Sequence, residues 1–302
     1  GLQPLLPARA PFRIAAKYIY SPIHLASSRR VGRSEPGVRR DSWRVARSEE
    51  YGWMKAIILS AGQGRRLLPL TESAPKCAVD LHGRSLLDWQ LDQLLACGVD
   101  EVVVVTGFGA ERVDTLLARR QDPVPVRSMY NPFFEVADNL ASCWLARAEM
   151  DRDFLLLNGD TLFEPAVLRR LLESPLRPVT LAVDHKVHYD DDDMKVQLED
   201  RRLLAVGKDL PAQRVDGESI GLMSFRGQGP ALFRAALEAA MRGPRGLKQW
   251  YLSVVGELAG QGRVWTCSIQ GLDWAEVDYP LDLARAARMV GGWIAADAEA
   301  VN

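Results

Sequence analysis

The chain has 302 residues, 47% of them hydrophobic, with 38 Lys and Arg against 39 Asp and Glu for a formal net charge of −1. This length and composition suit one large or two modest globular domains with a full core, and exclude a low-complexity or fibrous chain. Residues 1–53 hold ten Lys/Arg and four Asp/Glu, a balance of +6, so the remainder carries −7, which argues against a nucleic-acid-binding surface.

Residues 1–53 combine Arg-Arg pairs at 29–30 and 39–40 with scattered Pro and Ser, and show no sustained period. They read as a disordered or non-native N-terminal extension. From Met54 onward short apolar runs alternate with amphipathic stretches, the pattern of an α/β sheet. Strands are expected at 56–59, 101–106, 125–130, 153–158, 179–183, 219–225 and 264–269, with a hairpin excursion over 184–207. Helices are expected at 85–97, 110–120, 139–150, 165–173, 231–242, 252–258 and 281–289. Cys77, Cys97, Cys143 and Cys267 lack C-x-x-C spacing and read as small apolar residues of a reducing, cytoplasmic compartment. No apolar run approaches the ~18 residues of a membrane span.

The first strand runs into Leu59-Ser-Ala-Gly-Gln-Gly-Arg-Arg-Leu-Leu-Pro-Leu-Thr71, followed by Pro75-Lys76. A strand leading into a Gly-x-Gly-Arg turn brings bare backbone N–H groups to an anion. Arg65, Arg66 and Lys76 add mobile positive charge, so the segment suits a nucleoside triphosphate. It is not a Walker loop, because no Gly-Lys-Ser/Thr follows, and it lacks the third glycine of the dinucleotide fingerprint. Asp160 follows the expected strand at 153–158, at the carboxyl end where ligands of open α/β sheets bind. The residue type leaves open a Mg²⁺ ligand or the N-cap of the next helix, and the glycine loop favours the metal. Alternation in Trp274-Ala-Glu-Val-Asp278 puts Glu276 and Asp278 on one face. The run Asp190–Asp193 reads as a solvated loop, since four successive carboxylates repel and the EF-hand spacing is absent.

The string from Leu59 to Lys76 resembles the signature of the nucleotidyltransferases that activate sugar phosphates and phosphocholine. It departs at Ser60, usually Ala, and at Ala78, usually a larger aliphatic residue. The resemblance implies a Rossmann-like α/β fold of the nucleotide-diphospho-sugar transferase type, a mixed, mostly parallel sheet flanked by helices. It implies one domain over 54–302, with a nucleotide half over about 54–160 and an acceptor half over about 161–295. Leu59, Ala61, Gly62, Gln63, Gly64 and Arg65 would hold the triphosphate, and Lys76 would act at the α-phosphorus. The base would lie near the glycine loop and the Thr106-Gly107 turn.

Two segments are similar to the choline-phosphate cytidylyltransferase branch: Asp138-Asn-Leu-Ala-Ser-Cys-Trp144, which contributes Asn139 and Trp144, and Glu276-Val-Asp278. That similarity implies CTP, and makes Asp278 the partner of Asp160 on Mg²⁺, with Glu276 as the alternative ligand. Lys208, in Val206-Gly-Lys-Asp-Leu-Pro211, resembles the Glu-Lys-Pro element used against the acceptor phosphate. Gly217-Glu-Ser-Ile-Gly-Leu-Met-Ser-Phe225 is similar to the strand beneath the acceptor, which adds Glu218. Lys195 is a weaker candidate, an exposed hairpin lysine being its plainer explanation. Trp144, Trp250, Tyr251 and Trp274 suit either a quaternary-ammonium cage or ordinary core packing.

The reaction implied needs no general base. A phosphate monoester has its second pKa near ~6 and is already anionic at neutral pH. Alignment and charge neutralisation then suffice. The expected function is Mg²⁺-dependent transfer of CMP from CTP to a small phosphoalcohol such as phosphocholine. The alternatives are a sugar-1-phosphate uridylyl- or thymidylyltransferase, an inositol-phosphate or aminoethylphosphonate cytidylyltransferase, and a non-catalytic nucleotide-binding regulatory module.

Overall fold

The computed structural model describes residues 52–300, and its central element is β1 (Lys55–Ser60), the first apolar run of the sequence. The reading of residues 1–53 as an extension therefore falls almost wholly outside the described residues. The further strands are β2 (Asp80–Leu81), β3 (Arg84–Ser85), β4 (Glu101–Thr106), β5 (Val126–Tyr130), β6 (Phe154–Asn158) and β7 (Thr161–Phe163). They continue with β8 (Val179–Asp184), β9 (Lys195–Glu199), β10 (Arg202–Gly207), β11 (Gly217–Phe225), β12 (Val264–Ser268) and β13 (Trp274–Glu276). The helices are α1 (Leu86–Ala96), α2 (Ala110–Ala118), α3 (Asn139–Leu145), α4 (Pro165–Leu172), α5 (Gly229–Arg242), α6 (Tyr251–Gly260) and α7 (Pro280–Ala300).

The main sheet has nine strands in the order β5-β4-β1-β6-β11-β8-β12-β10-β9. The strands β5, β4, β1 and β6 are parallel, β11 runs antiparallel to β6 and β8, and β12 is parallel to β8. This is the mixed α/β architecture expected from the sequence. Both faces are buried, as parallel strands built from continuous aliphatic runs require. In β1, Ile57 joins the core under α3, α5 and α6, while Ala56 and Ile58 join the core under α1, α2 and α4. Chain order leaves β1 toward β4 and β5, then returns to β6 on its other side. That reversal opens a crevice at the carboxyl ends of β1 and β6, the switch point where ligands of such sheets bind.

Two small pairings were not legible as strands. The β2–β3 hairpin and the antiparallel β7–β13 pair involve segments of two or three residues, too short to show a period. The helix expected over 139–150 stops at Leu145 and tightens into a 3₁₀ turn over Ala146–Glu149. The closing helix runs well past 289, to Ala300, along an alanine-rich stretch of high helix propensity. Its apolar stripe, including Ala286 and Val290, packs on Leu67, Leu81, Leu86 and Trp89. Helix α7 thereby lies against the segment that follows the glycine loop.

Helix α1 begins with a capping box, Ser85 Oγ accepting from the Asp88 N–H while the Asp88 carboxylate accepts from Ser85 N–H. Arg120, just beyond α2, donates to Asp88 at 2.9 Å, to Asp92 at 2.7 Å and to Asp122 at 2.8 Å. Burial works against ionised Asp88, but the Ser85 hydroxyl and the Arg120 guanidinium hold it below the usual carboxylate range. A carboxylate with a lowered folded pKa stabilises above its unfolded value and loses that contribution as pH falls through the folded one. Arg120→Ala should therefore cost about 1–3 kcal/mol in urea unfolding at pH 7, and the gap to wild type should narrow below pH ~4.

Candidate active site

The glycine loop leaves β1 directly into the crevice. Gly64 has φ 74°, in the left-handed region, and an ideal Cβ there would stand 2.8 Å from Lys76 Cβ. The loop thus needs glycine both for its turn and for the close packing of Lys76. Thr71 Oγ1 donates to Gly64 O at 2.8 Å, Gln63 Nε2 to Thr71 O at 3.4 Å, and the Phe108 N–H to Ala61 O at 3.0 Å. These bonds hold the turn open toward a cleft of about 480 Å³ lined by Leu59, Ala61, Gly62, Gly64, Arg65 and Lys76, with Asn139, Asp160, Lys208 and Trp250 across from them.

The carboxylates meet through the short β7–β13 pair. Thr161 is in register with Glu276, and the Val277 N–H donates to Asp160 O at 3.0 Å. On the other side, buried Gln90 donates to Asn158 O at 2.9 Å and Thr161 O at 2.8 Å, bracing the Gly159-Asp160 turn. Ligand atoms of Asp160, Glu276 and Asp278 consequently lie within 4.8 Å of one another. Helix α4 starts at Pro165 with Glu164 in the cap position, so Asp160 caps nothing. Lys76 Nζ donates to Asp160 Oδ2 at 2.8 Å and also to Asp278. Burial alone would lower the Lys76 pKa, but the two carboxylates more than offset it and raise it. Glu276 is exposed and lines both chambers; desolvation and the charges of Asp160 and Asp278 lift its carboxyl to about 8.

This group fits a hard divalent cation. It offers three oxygen donors, and Asp160 Oδ1 is buried with no hydrogen-bond partner. Oxygen ligands of this kind, completed by phosphate oxygens, are the usual Mg²⁺ set.

On the acceptor side, Lys208 Nζ lies 3.2 Å from Asp192 Oδ1 and 5.2 Å from the Trp250 ring centroid. Arg66 spans the cleft, with Nη1 3.1 Å from Asp278 and Nη2 3.2 Å from Asp192. Arg66 thus has the cross-cleft contacts, whereas Arg65 bonds only Gln63 Oε1, at 3.4 Å. Beyond Asp192 a second chamber of about 640 Å³ is lined by Asp184, Lys186, Asp193 and Glu218, and shares Asp192, Glu276 and Asp278 with the cleft. Lys186 Nζ stands 2.7 Å from Asp193 and 3.0 Å from Glu218. Burial, reinforced by Asp193, lifts Glu218 to about 7 against the pull of Lys186.

Several residues are placed differently from the sequence reading. Trp144 does not line the cleft; its Nε1 donates to Glu238 at 2.7 Å and Arg147 stacks 3.8 Å from its ring. Tyr251 is fully buried and donates to Asn158 Oδ1, and Trp274 donates to Asp184. No aromatic cage assembles from these four. Thr106 and Gly107 lie behind the glycine loop, where an ideal Cβ on Gly107 would stand 2.6 Å from Ala61 O. Gln63 braces the loop rather than lining the cleft. Lys195 is buried, not exposed, and donates to Lys208 O at 2.9 Å. The run Asp190–Asp193 is tied to both chambers. Sequence reasoning placed Asp192 in a solvated loop and passed over Tyr279 and Gln90, whose only signal was proximity to motif residues after folding.

A family model of the MobA-like NTP transferase domain matches residues 56–251. The CMP-5'-(3-aminopropyl)phosphonate synthase of Streptomyces rubellomurinus is 33% identical over 242 residues, 77% of this chain and 38% of that protein. The choline-phosphate cytidylyltransferase of Streptococcus pneumoniae is 31% identical over 111 residues, 37% of this chain and 47% of that protein. The chain spans less than half the length of either relative. The inositol-1-phosphate CTP transferase from T. maritima superposes with a TM-score of 0.68 at 20% identity, over 79% of this chain and 95% of that one, which shows a shared fold. With the glycine loop and the carboxylate group inside or beside the matched span, the chain belongs to the MobA-like NTP transferase domain family and is of the nucleotidyltransferase class.

Proposed function

We propose that this protein transfers CMP from CTP to a small zwitterionic acceptor, an alkyl phosphate or phosphonate carrying a primary ammonium, and releases pyrophosphate. An acceptor oxygen attacks the α-phosphorus of CTP, a new P–O–P linkage forms, and the α–β bridging bond breaks in line. The backbone N–H groups of Gly62 and Gly64, with Arg65, take the triphosphate, and Lys76 neutralises charge at the α-phosphoryl group. Asp160 and Asp278, with Glu276 beside them, would hold Mg²⁺, which supplies charge neutralisation on the phosphates when bound. No base is required of the protein, since the acceptor oxygen is anionic at neutral pH. In keeping with that, none of His82, His185 and His188 lines the cleft. Cytosine is the base supported by the cytidylyl relatives, and the free thiols of Cys77, Cys97, Cys143 and Cys267 suit a cytoplasmic setting.

One observation carries the acceptor class: a cationic phosphate position at Lys208 borders an acidic chamber that holds an ammonium already, that of Lys186. Carboxylates such as Glu218 and Asp193 hydrogen-bond a primary ammonium, whereas a quaternary one has no N–H to donate and favours aromatic faces. Of the four aromatics considered from the sequence, Trp250 lines the cleft and Trp274 the acidic chamber, where its Nε1 donates to Asp184, so no facing set of rings encloses either space. We therefore prefer an aminoalkyl acceptor to phosphocholine.

Pyrophosphate release should be measured with Mg²⁺ and CTP, UTP, dTTP, ATP or GTP, each against 3-aminopropylphosphonate, 2-aminoethylphosphonate, phosphocholine, inositol-1-phosphate and glucose-1-phosphate. Turnover is expected with CTP and an aminoalkylphosphonate. Turnover confined to a hexose or inositol phosphate would sink the acceptor class. Asp160→Asn should retain its fold by circular dichroism and lose about a hundredfold or more in kcat; full activity would remove Asp160 from the site.

A pH profile tests the chamber separately. Glu218 titrates near 7 and must be charged to hold an ammonium, so acceptor KM should fall as pH rises from 6 to 8. Glu218→Gln should raise KM and abolish that slope. A slope unchanged in Glu218→Gln would assign it to another group.

A further inference from the structure

The acidic run Asp190–Asp193 has a division of labour that the reaction does not explain. Asp190 Oδ1 accepts from the Asp192 and Asp193 N–H groups at 2.9 and 3.2 Å, and Asp193 Oδ2 accepts from the Asp190 N–H at 2.7 Å. Asp193 is also pinned by Lys186. Asp190 and Asp193 therefore build a turn, and the turn presents Asp192 to the cleft. One oxygen of Asp192, Oδ1, meets both Arg66 and Lys208 at 3.2 Å, and the other accepts from Tyr279 Oη at 2.8 Å.

A single carboxylate oxygen held between a cation of the glycine-loop segment and the cation facing the acceptor occupies the place a phosphoryl oxygen would take. Asp192 also forms part of the wall of both the cleft and the acidic chamber. We propose that Asp192 is a displaceable internal anion, a latch that occupies Arg66 and Lys208 until a substrate phosphate or phosphonate takes them over and opens the passage between the two chambers. The passage to an ammonium site rests on the acceptor class argued above; the competition for the two cations does not.

Solvent exposure decides that the latch is displaceable rather than fixed. The side chains of Asp192 and Arg66 are 43% and 45% exposed, and ion pairs so open to water are weak and salt-sensitive. An incoming phosphate brings more charge and more acceptor oxygens than one carboxylate. Each cation keeps another contact without Asp192: Arg66 stays 3.1 Å from Asp278, and Lys208 stays 5.2 Å from the Trp250 ring centroid with its backbone carbonyl held by buried Lys195. Removing the Asp192 charge should therefore free two cations that remain in position.

The test is binding of inorganic phosphate to the full chain by titration calorimetry, which needs neither CTP nor an acceptor. Asp192→Asn, which keeps the shape and loses the charge, should bind phosphate about three- to tenfold more tightly than wild type. The gain should vanish in the Asp192→Asn, Lys208→Ala double variant. Tyr279→Phe removes one exposed hydroxyl and should give a smaller gain in the same direction, which keeps the idea testable if Asp192→Asn folds poorly. In turnover, acceptor KM should fall. Phosphate binding unchanged or weaker, or a raised acceptor KM, would make Asp192 a fixed positioning bracket and overturn the latch. Tighter phosphate binding in a protein that never uses an aminoalkyl acceptor would keep the latch and discard only the acceptor class.

Discussion

The site depends on one short antiparallel pairing, β7 with β13. Asp160 immediately precedes β7, and Glu276 ends β13, more than a hundred residues later in the chain. Without the register Thr161–Glu276 and the bond from the Val277 N–H to Asp160 O, the three carboxylates would have no reason to converge. The pairing is itself held on both sides. Gln90 fixes the turn before β7 from the α1 side, and Thr161 Oγ1 donates to Ile220 O in β11 at 2.9 Å. Helix α7 then packs on the glycine-loop segment and the β2–β3 hairpin, so that Asp278 arrives beside Lys76. Packing far from the cleft thus sets the distances within it.

Converging like charges is costly unless cations stand among them. Lys76 meets this need for Asp160 and Asp278, and Arg66 for Asp278 and Asp192. Glu276, which no cation touches, is the carboxyl lifted to about 8. The same balance appears in the second chamber, where Lys186 serves Asp193 and Glu218. Lys76, Arg66 and Lys186 each have a carboxylate partner that is mostly buried, so these charges are organised before any phosphate enters. Preorganised charge of this kind avoids reorganisation at the moment of reaction.

Much of this was legible in the sequence, for identifiable physical reasons. Fully buried parallel strands read as aliphatic runs, so β1, β4 and β6 are plain, and the glycine loop is contiguous in the chain. Asp160 is legible because it stands at a strand's carboxyl end. What escaped the reading is whatever depends on partners distant in sequence. The β7 and β13 strands are too short to carry a period, and Lys195 in alternating Lys195-Val-Gln-Leu198 looks solvent-facing until β11 pairs beside it. The aromatics show the same limit. Trp144 and Trp250 have equal standing in the sequence, and only the fold sends one to Glu238 and the other to the cleft. The run of four aspartates looks uniform, yet its members divide between turn-building and cation-binding once Arg66, Lys208 and Tyr279 surround it.

The two chambers are built by different parts of the chain, and this separates two kinds of selectivity. The side proposed for the nucleotide comes from the contiguous segment between β1 and the start of α1, braced by Thr71 and by the loop after β4. The side proposed for the acceptor comes from the excursion between β8 and β11, where the segment before β9 carries Lys186 and Asp193, the segment after β10 carries Lys208, and β11 itself carries Glu218. Substitutions in that excursion can change charge and volume around the acceptor without touching a hydrogen bond of the glycine loop. Glu276 and Asp278, at and just beyond the end of β13, line both chambers, so these positions have the least freedom. A fold divided in this way can keep the chemistry of one chamber while the other changes, because most of the side chains that line the second chamber lie outside the first.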